Sequence, residues 1–214
     1  MHLTRAAFQQ RYAAGALRIA LVGMSNIGKS YTGMRLATAY EFELIEVDKL
    51  IWEALGQGSM DDFAAWQGQP YTDGYAEREA KSIALETEAT RKALNYTGGN
   101  AILDTTGSVI YTDVKVREHL ANHWFVIYIR AADDAIARLK AQYFAQPKPL
   151  IWRDHYRCKP GQTPDAAILD CYPDLLVSRA AQYAALADAT IDSDVILDPT
   201  LSTEDIWARL HPTA

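Results

Sequence analysis

The fold of this chain is decided by the stretch Gly23-Met24-Ser25-Asn26-Ile27-Gly28-Lys29-Ser30. It matches the Walker A pattern G-x-x-x-x-G-K-[ST], in which glycines let successive backbone N–H groups turn toward phosphate oxygens. The pattern carries weight only between a strand and a helix. Both are predicted here, because residues 19–22 form an apolar run and residues 31–40 place apolar side chains at helical spacing. An ordinary glycine-containing turn with a surface lysine is the alternative to the nucleoside triphosphate site that this stretch predicts.

The residues of this loop have separate expected roles. Lys29 is expected to reach the outer phosphates, and the Ser30 hydroxyl is expected to bind Mg²⁺. The helix that begins near Lys29 adds the positive end of its dipole. The residues in or directly after this stretch that are predicted to bind the nucleotide are Gly23, Ser25, Asn26, Ile27, Gly28, Lys29, Ser30 and Tyr31.

Size and charge limit the classes of protein to consider. With 214 residues, the chain is long enough for one α/β domain, predicted to span residues 1–214, and too short for two. A net charge of −6 without a cluster of Lys or Arg argues against nucleic acid as a partner. The apolar runs are too short to cross a membrane, and the first residues lack the pattern of a secretory signal. We therefore expect no membrane partner and a cytoplasmic location.

The two cysteines, Cys158 and Cys171, are too few for a disulfide framework, and this fits a reducing compartment. His155 lies three residues before Cys158, so a zinc site is an alternative for this segment. The poor ligand spacing and the lack of a fourth ligand disfavour zinc.

Predicted strands and helices alternate along the chain. The strands are expected at residues 19–22, 43–47, 101–103, 125–129 and 189–191. The helices are expected at residues 4–14, 31–40, 75–94, 113–120, 133–144 and 175–186, before a closing helix capped by Ser202 and Asp205. This alternation favours an α/β fold of three layers, with a parallel sheet between two layers of helices. The proline-containing segment 147–173 is predicted to be a long irregular lid.

Three acidic residues lie at the ends of predicted strands, at the sheet edge where such folds bind ligands. Asp104 follows the strand at 101–103, and it either holds the metal or caps the next turn. Asp48 follows the strand at 43–47, and it either accepts the proton of a substrate hydroxyl or caps the next helix. Glu46 lies on the same side of that strand as Asp48 and is either an indirect partner of the metal or a solvated carboxylate.

Several pieces of the chain together resemble the shikimate kinase family, over roughly residues 17–192. The pieces are the loop at 23–30, Glu46-Val47-Asp48, Asp104-Thr105-Thr106-Gly107-Ser108-Val109, the strand at 125–130, and the segments 148–151 and 179–192. The resemblance implies the P-loop NTPase fold of nucleoside monophosphate kinases, with five parallel strands in the order 2-3-1-4-5. It also implies transfer of the γ-phosphate of ATP to a ring hydroxyl of shikimate, with ATP and Mg²⁺ as cofactors.

The region of about residues 49–95 is expected to bind the substrate. Asp48 lies where the family contacts the substrate hydroxyl. Arg179 lies where an Arg of the family grips the substrate carboxylate. Gly107 is what remains of a glycine triplet in the family, and it is expected beside the substrate.

The resemblance also implies contacts with the nucleotide and its metal. Lys148 lies where an Arg of the lid reaches the phosphates, and Arg138 is the nearest candidate for the Arg that stacks on adenine. Glu46 lies where an Asp helps to hold Mg²⁺. The predicted catalytic residues are therefore Lys29, Asp48 and Lys148, and the predicted metal ligands are Ser30, Glu46 and Asp104.

The chain departs from the family pattern at the acceptor site. Ala76 replaces the Arg that binds the shikimate carboxylate, and Arg78, two positions later, points elsewhere around a helix. Residues 105–107 retain only one glycine, and Asp104 stands where the family usually lacks an acid. These departures question shikimate itself as the acceptor.

The first hypothesis is therefore an ATP-dependent kinase for a small, hydroxylated and anionic acceptor, acting as a monomer or weak homodimer. A nucleotide-binding regulator or inactive kinase is the second hypothesis, and a nucleotide hydrolase is the third. The separated acids Asp48 and Asp104 beside an intact loop favour the first.

Overall fold

The centre of the molecule is a five-stranded parallel sheet. The computed structural model describes residues 3–55, 60–145 and 150–212, and the sheet order is β2-β3-β1-β4-β5. The strands are β1 (Arg18–Val22), β2 (Glu43–Glu46), β3 (Ala101–Asp104), β4 (Phe125–Arg130) and β5 (Ala189–Asp192). The predicted three-layer α/β fold and its strand order are confirmed.

The two strands at the centre of the sheet are apolar because helices cover both of their faces. All residues of β1 from Ile19 to Val22 and of β4 from Phe125 to Ile129 are buried. In the register of the sheet, Leu21 of β1 and Glu46 of β2 both lie opposite Asp104 of β3. The carboxyl ends of these three strands are therefore level, and the segments that follow them open onto one edge.

Helices flank the sheet; each predicted helix is present, and the helix at Ser193–Leu197 was not predicted. They are α1 (Arg5–Ala13), α2 (Lys29–Tyr40), α3 (Val47–Leu55), α4 (Met60–Gln67), α5 (Tyr75–Leu94), α6 (Val114–His123), α7 (Asp133–Ala145), α8 (Pro164–Leu186), α9 (Ser193–Leu197) and α10 (Thr203–Leu210). Short 3₁₀ turns lie at Val109–Tyr111 and Arg153–His155. The predicted capping box of α10 is present, because Ser202 and Asp205 cap each other's backbone N–H groups.

The predicted irregular segment 147–173 is wrong over its second half, because α8 begins at Pro164. Thr163 caps this helix by accepting a hydrogen bond from the backbone N–H of Ala166, and proline fits the first turn of a helix, where its missing N–H costs nothing. Pro173 lies inside the helix. Apolar side chains on both sides of it are buried, and their packing outweighs the hydrogen bond that proline removes.

The boundary between β2 and α3 also differs from the prediction. The strand ends at Glu46 and the helix begins at Val47, so that Asp48 lies in the first turn of α3 and not before it. An acid in the first turn is stabilised by the helix dipole. Among the described residues, no helix combines the length and the apolar character needed to cross a membrane.

Candidate active site

A cavity of about 760 Å³ opens at the carboxyl ends of the strands. Residues of the loop after β1, of α3, α4 and α5, of the segment after β3, and of α7 line it. The lining residues are Ser25, Asn26, Gly28, Lys29, Ser30, Tyr31, Asp48, Ile51, Trp52, Phe63, Gln67, Ser82, Glu86, Asp104, Thr105, Thr106, Gly107, Ser108, Arg138, Gln142, Ala145, Ile151 and Leu197. The cavity therefore combines the predicted nucleotide loop with the segment that sequence similarity assigns to the acceptor.

The loop between β1 and α2 depends on two glycines. Gly23 has φ of 148°, and a Cβ atom there would lie 2.6 Å from the carbonyl oxygen of Ile129. Gly28 has φ of 108° and lies just before α2. Other residues rarely adopt these angles, so both glycines are needed for the loop to curl. Its amides can then converge on an anion beside the positive end of α2.

The side chain of Lys29, which follows the loop, reaches back to the start of the loop. Its buried ammonium group donates hydrogen bonds to the carbonyl oxygens of Met24, at 2.9 Å, and Gly23, at 3.2 Å. Of the residues predicted to bind the nucleotide, Ser25, Asn26, Gly28, Lys29, Ser30, Tyr31 and Arg138 line the cavity, whereas Gly23 and Ile27 are buried and do not.

Asp104 supplies a buried acid next to the loop. It is 7% exposed, and its Oδ1 atom has no hydrogen-bond partner in the described part of the chain. Burial raises the pKa of Asp104, while the charge of Lys29 and a hydrogen bond with Ser30 lower it. A buried carboxylate oxygen without a partner is costly, and a divalent cation held by Ser30 and Asp104 would satisfy it.

Glu46, the third predicted metal ligand, lies near Asp104 but outside the cavity lining. Glu46 lies opposite Asp104 in the register of β2 and β3, but it does not line the cavity. Residues 3–55, 60–145 and 150–212 contain no cluster of three or more His, Cys, Asp or Glu residues that would bind a metal by itself.

The other end of the cavity contains two acids. Asp48 projects from the first turn of α3 and is exposed, whereas Glu86 of α5 is 5% exposed. Glu86 accepts hydrogen bonds from the hydroxyls of Thr106 and Ser108, the latter at 2.6 Å. The pKa of Glu86 is raised to about 7, mainly by burial and to a smaller extent by the charge of Asp48. The hydrogen bonds from Ser108 and Thr106 and the charge of Arg179 lower it.

Three polar residues of this end, Gln67, Ser82 and Glu86, were not predicted from the sequence. The hydroxyl of Ser82 donates a hydrogen bond of 2.7 Å to the side-chain oxygen of Gln67. The signal that reveals two of them is the spacing along α5, where Glu79, Ser82 and Glu86 are buried on one face with Tyr75. A buried helical face with this many polar residues indicates a site, because buried polar groups are costly unless they have partners.

Arg179 does not line the cavity. It is 3% exposed, and its guanidinium donates hydrogen bonds to the carbonyl oxygens of Gly107, at 3.2 Å, and Ile151, at 2.8 Å. Its Nε atom has no hydrogen-bond partner among the described residues. Gly107 and Ile151 do line the cavity, so Arg179 contacts the backbone of two lining residues. Lys148, the predicted lid cation, lies outside the described residues.

Arg78 braces the segment that precedes α5. Its guanidinium donates hydrogen bonds to the carbonyl oxygens of Asp73 and Gln67, at 2.8 and 2.9 Å, and to the hydroxyl of Thr72 at 2.9 Å. Arg78 therefore holds residues 67–73 in place and does not substitute for the cation that Ala76 has replaced. Ala76 itself is exposed.

A second carboxylate of α5 anchors the segment that follows residues 146–149. One oxygen of Glu79 accepts hydrogen bonds from the backbone N–H groups of Trp152, at 2.7 Å, and Arg153, at 2.9 Å. The side chain of Trp152 is 1% exposed. The start of the segment after 149 is thus fixed against the helix that also provides Ser82 and Glu86.

Comparison with known proteins agrees with this geometry. Curated relatives include shikimate kinases of Stenotrophomonas maltophilia (strain K279a), 28% identical with 84% of each chain covered, and of Mycobacterium avium (strain 104), 30% identical with 84% of this chain and 85% of the relative covered. A solved shikimate kinase from Acinetobacter baumannii, in complex with shikimate, has a TM-score of 0.59 and 21% identity. The match covers 89% of this chain and 98% of that one, and it supports the fold.

The structure of shikimate kinase from Bacteroides thetaiotaomicron is similar to the same degree, with a TM-score of 0.57, 18% identity, and coverage of 91% of this chain and 94% of that one. The model of the family described as shikimate kinase matches residues 25–194, which include residues 25–30 of the loop, Asp48, Asp104 and Glu86. Members of this family are phosphotransferases that act on alcohol groups, and the chain belongs to the shikimate kinase family.

Proposed function

We propose that this protein transfers the γ-phosphoryl group of Mg·ATP to a hydroxyl of a small acceptor. The observation that carries the proposal is the single cavity into which the phosphate-binding loop, Asp104 and Asp48 all open. Phosphoryl transfer needs a bound polyphosphate, a metal and an oriented hydroxyl. The loop would bind the polyphosphate, Asp104 the metal, and Asp48 would orient the hydroxyl.

The loop and Lys29 bind the phosphates in this account. The carbonyl oxygens of Gly23 and Met24 now hold the ammonium group of Lys29, and β- and γ-phosphate oxygens would compete for it with full negative charges. Ser30 and Asp104 would hold Mg²⁺, which when bound neutralises charge on the phosphates. Glu46 acts on the metal only indirectly, since it does not line the cavity.

Asp48 acts on the acceptor. Its carboxylate orients the hydroxyl and accepts its proton while the acceptor oxygen forms a bond with the γ-phosphorus and the bond from that phosphorus to the bridging oxygen breaks. Exposure of Asp48 into the cavity supports this role over a purely capping one. Arg138, which lines the wall that α7 provides, is proposed to contact the adenine; Lys148 remains a predicted phosphate contact.

Acceptor-dependent release of ADP tests the proposal. The protein is mixed with Mg·ATP and a panel of hydroxy acids, polyols and nucleosides, and products are identified by ³¹P NMR. A new phosphomonoester signal with matching ADP supports a kinase. Inorganic phosphate formed at the same rate with or without any acceptor would indicate a hydrolase, and tight ATP binding without turnover would indicate a regulator.

A further inference from the structure

We propose that Cys158 and Cys171 form a modification site, at which a low-molecular-weight disulfide such as oxidised glutathione converts the two thiols into one reversible disulfide bond. The bond would join the segment 150–163 to α8. This inference does not depend on the kinase proposal, because the two thiols lie outside the cavity lining. The chain contains no other cysteine, so a disulfide within one molecule can only join these two.

The fold holds the sulfur of Cys171 beside the backbone that precedes Cys158. This sulfur accepts a hydrogen bond from the backbone N–H of Arg157 at 3.3 Å, and its thiol donates one to the carbonyl oxygen of Arg157 at 3.4 Å. The peptide bond after Arg157 is trans, so the Cα atom of Cys158 lies at most about 6 Å from the Cys171 sulfur. In a disulfide this distance is about 4 Å, so rotation of both side chains and a small shift of the exposed segment would join the sulfurs.

Tyr156 lies between the two thiols in their electrostatic surroundings. Its hydroxyl donates a hydrogen bond to the sulfur of Cys158, and both cysteines act electrostatically on that hydroxyl. The thiol of Cys158 itself donates a hydrogen bond to the carbonyl oxygen of Gln162 at 3.4 Å. Because thiols form weak hydrogen bonds, these contacts orient the side chains without blocking their reaction.

Asp170, the neighbour of Cys171 on α8, holds the turn that follows Cys158. Its carboxylate accepts a hydrogen bond from the side-chain amide of Gln162 at 2.7 Å and lies 3.6 Å from the ammonium group of Lys159. The side chains of Lys159 and Asp170 are 74% and 57% exposed, and exposed ion pairs contribute little stability. Weak contacts therefore position the segment on α8, and a disulfide would add a covalent link at the same place.

Exposure assigns the two cysteines different roles in the reaction. Cys158 is exposed, whereas Cys171 is half-buried. The thiolate of Cys158 would attack oxidised glutathione, so that the S–S bond of the reagent breaks, a mixed disulfide forms and one glutathione leaves as its thiolate. The thiolate of Cys171 would then attack the sulfur of Cys158 and displace the second glutathione. The two cysteines lose two electrons in total, and the two glutathione molecules that form take up these electrons and the two thiol protons.

The disulfide would restrain a segment that reaches the cavity wall. At the start of this segment Ile151 lines the cavity, and the backbone N–H groups of Trp152 and Arg153 are held by Glu79 of α5. Further along, the new bond would fix the segment to α8. A short closed loop has less conformational freedom, so local opening of residues 154–162 should become rarer.

Equilibration with mixtures of reduced and oxidised glutathione tests the proposal. Alkylation of free thiols followed by mass spectrometry separates the reduced chain, the glutathione adduct, the internal disulfide and the disulfide-linked dimer. The same mixtures in concentrated urea give the equilibrium constant for the unfolded chain. The constant for the internal disulfide should be at least about 10-fold larger in the folded protein, because the native contacts hold the thiols together. An equal or smaller constant in the folded protein overturns the proposal, as does a glutathione adduct or a dimer as the main product.

Two single substitutions test the assigned roles. Cys171→Ser should accumulate a stable glutathione adduct at Cys158, because no second thiol is present to displace the glutathione. Cys158→Ser should react with oxidised glutathione at least about 10-fold more slowly, because its remaining thiol is half-buried. Equal rates in the two variants would exclude Cys158 as the attacking thiol.

Hydrogen exchange measures the effect on the segment. After oxidation of the wild type, the amides of residues 154–162 should exchange at least about 5-fold more slowly, and dithiothreitol should restore the original rates. The amides of α6 should be unaffected, and Cys158→Ser given the same treatment is the control. Equal exchange in the oxidised and reduced wild type would show that the bond does not restrain the segment.

Discussion

The two ends of the cavity are built differently. At the phosphate end, backbone amides, the start of α2 and one lysine converge from a continuous stretch of eight residues, 23–30. At the acceptor end, side chains arrive from three helices and from the segment after β3. One end is positive and depends mainly on the backbone, whereas the other is acidic and depends on packing between helices. Substitutions should therefore affect the two ends in different ways.

The first expected effect, and the largest, lies at the phosphate end. Lys29→Ala should lower kcat/KM for phosphoryl transfer about 10³-fold or more, because the lost ammonium group stabilises charge that develops on the phosphates. Lys92→Ala, at the exposed end of α5, is the control and should retain wild-type rates. Steady-state ADP release measures both. Full activity in Lys29→Ala would remove the loop from the mechanism.

Asp48→Asn probes the acceptor end. We expect kcat to fall about 10²- to 10³-fold while ATP affinity changes less than about 3-fold, because only the proton of the acceptor depends on this carboxylate. Glu53→Gln on the same helix serves as the control. Equal losses in ATP affinity and kcat would place Asp48 at the phosphate end and break the comparison.

Glu86 should give the acceptor end a distinctive dependence of stability on pH. Its pKa is raised from 4.5 to about 7, so the folded state retains a proton that the unfolded state loses between these values. The free energy of unfolding should therefore fall as pH rises from 4.5 toward 7, by up to about 3 kcal/mol, and then level off. Asp48, Arg179 and Tyr183 carry the neighbouring titratable groups.

Denaturation by urea at pH 5, 6, 7 and 8 measures this effect. Glu86→Gln has no group that titrates at this position. The free energy of unfolding of the wild type should therefore fall relative to that of the variant as pH rises. If the free energies of unfolding of the two proteins change in parallel with pH, the pKa of Glu86 is not raised by folding. Glu86 would then be more exposed to water than the structure indicates.

Asp104→Asn should affect the metal at the phosphate end. The Mg²⁺ concentration that gives half-maximal rate should rise about 10- to 100-fold, because a neutral amide is a weaker ligand for a hard cation. Electron paramagnetic resonance of Mn²⁺ with an ATP analogue gives a measurement independent of turnover. If Mn²⁺ affinity stays the same, Asp104 instead serves only to cap the turn at Thr105.

The smallest effect is expected from Arg78→Ala, at the acceptor end. Loss of its hydrogen bonds to residues 67–73 should cost about 1–2 kcal/mol of stability and raise the KM of the acceptor, with ATP affinity unchanged. Arg91→Ala removes an exposed ion pair with Glu88 from the same helix and should cost less than about 0.5 kcal/mol. A larger change in ATP affinity than in acceptor KM would contradict the division of the cavity.

The contrast between the ends also explains how much the sequence could predict. The loop at 23–30 and Asp104 can be predicted from local sequence. A glycine pattern and an acid after a buried strand indicate a phosphate site without any knowledge of tertiary packing. Glu86 and Gln67 acquire their roles only when α4 and α5 pack over the sheet, and no local pattern encodes that packing. Resemblance to a family assigned Arg179 to the substrate, whereas its hydrogen bonds to the carbonyl oxygens of Gly107 and Ile151 could not be predicted, because they depend on how α8 packs.

The start of α8 shows the same limit in the fold. Prolines at 160, 164 and 173 suggested an irregular segment, yet Thr163 and Pro164 form a helix start, and Pro173 is accommodated by the packing of Tyr172 and Leu175. Propensity gives way to tertiary packing here, whereas the strand and helix that flank the phosphate loop follow their local sequence.

Calorimetric titration of Mg·ATP into the wild-type protein tests the central claim most directly, because the phosphate end is the foundation of the proposed function. We expect saturable binding with a Kd below about 1 mM, and loss of that binding in the presence of competing Mg·ADP. An absence of heat with both ATP and GTP at millimolar concentrations, from a protein shown to be folded, would contradict the account.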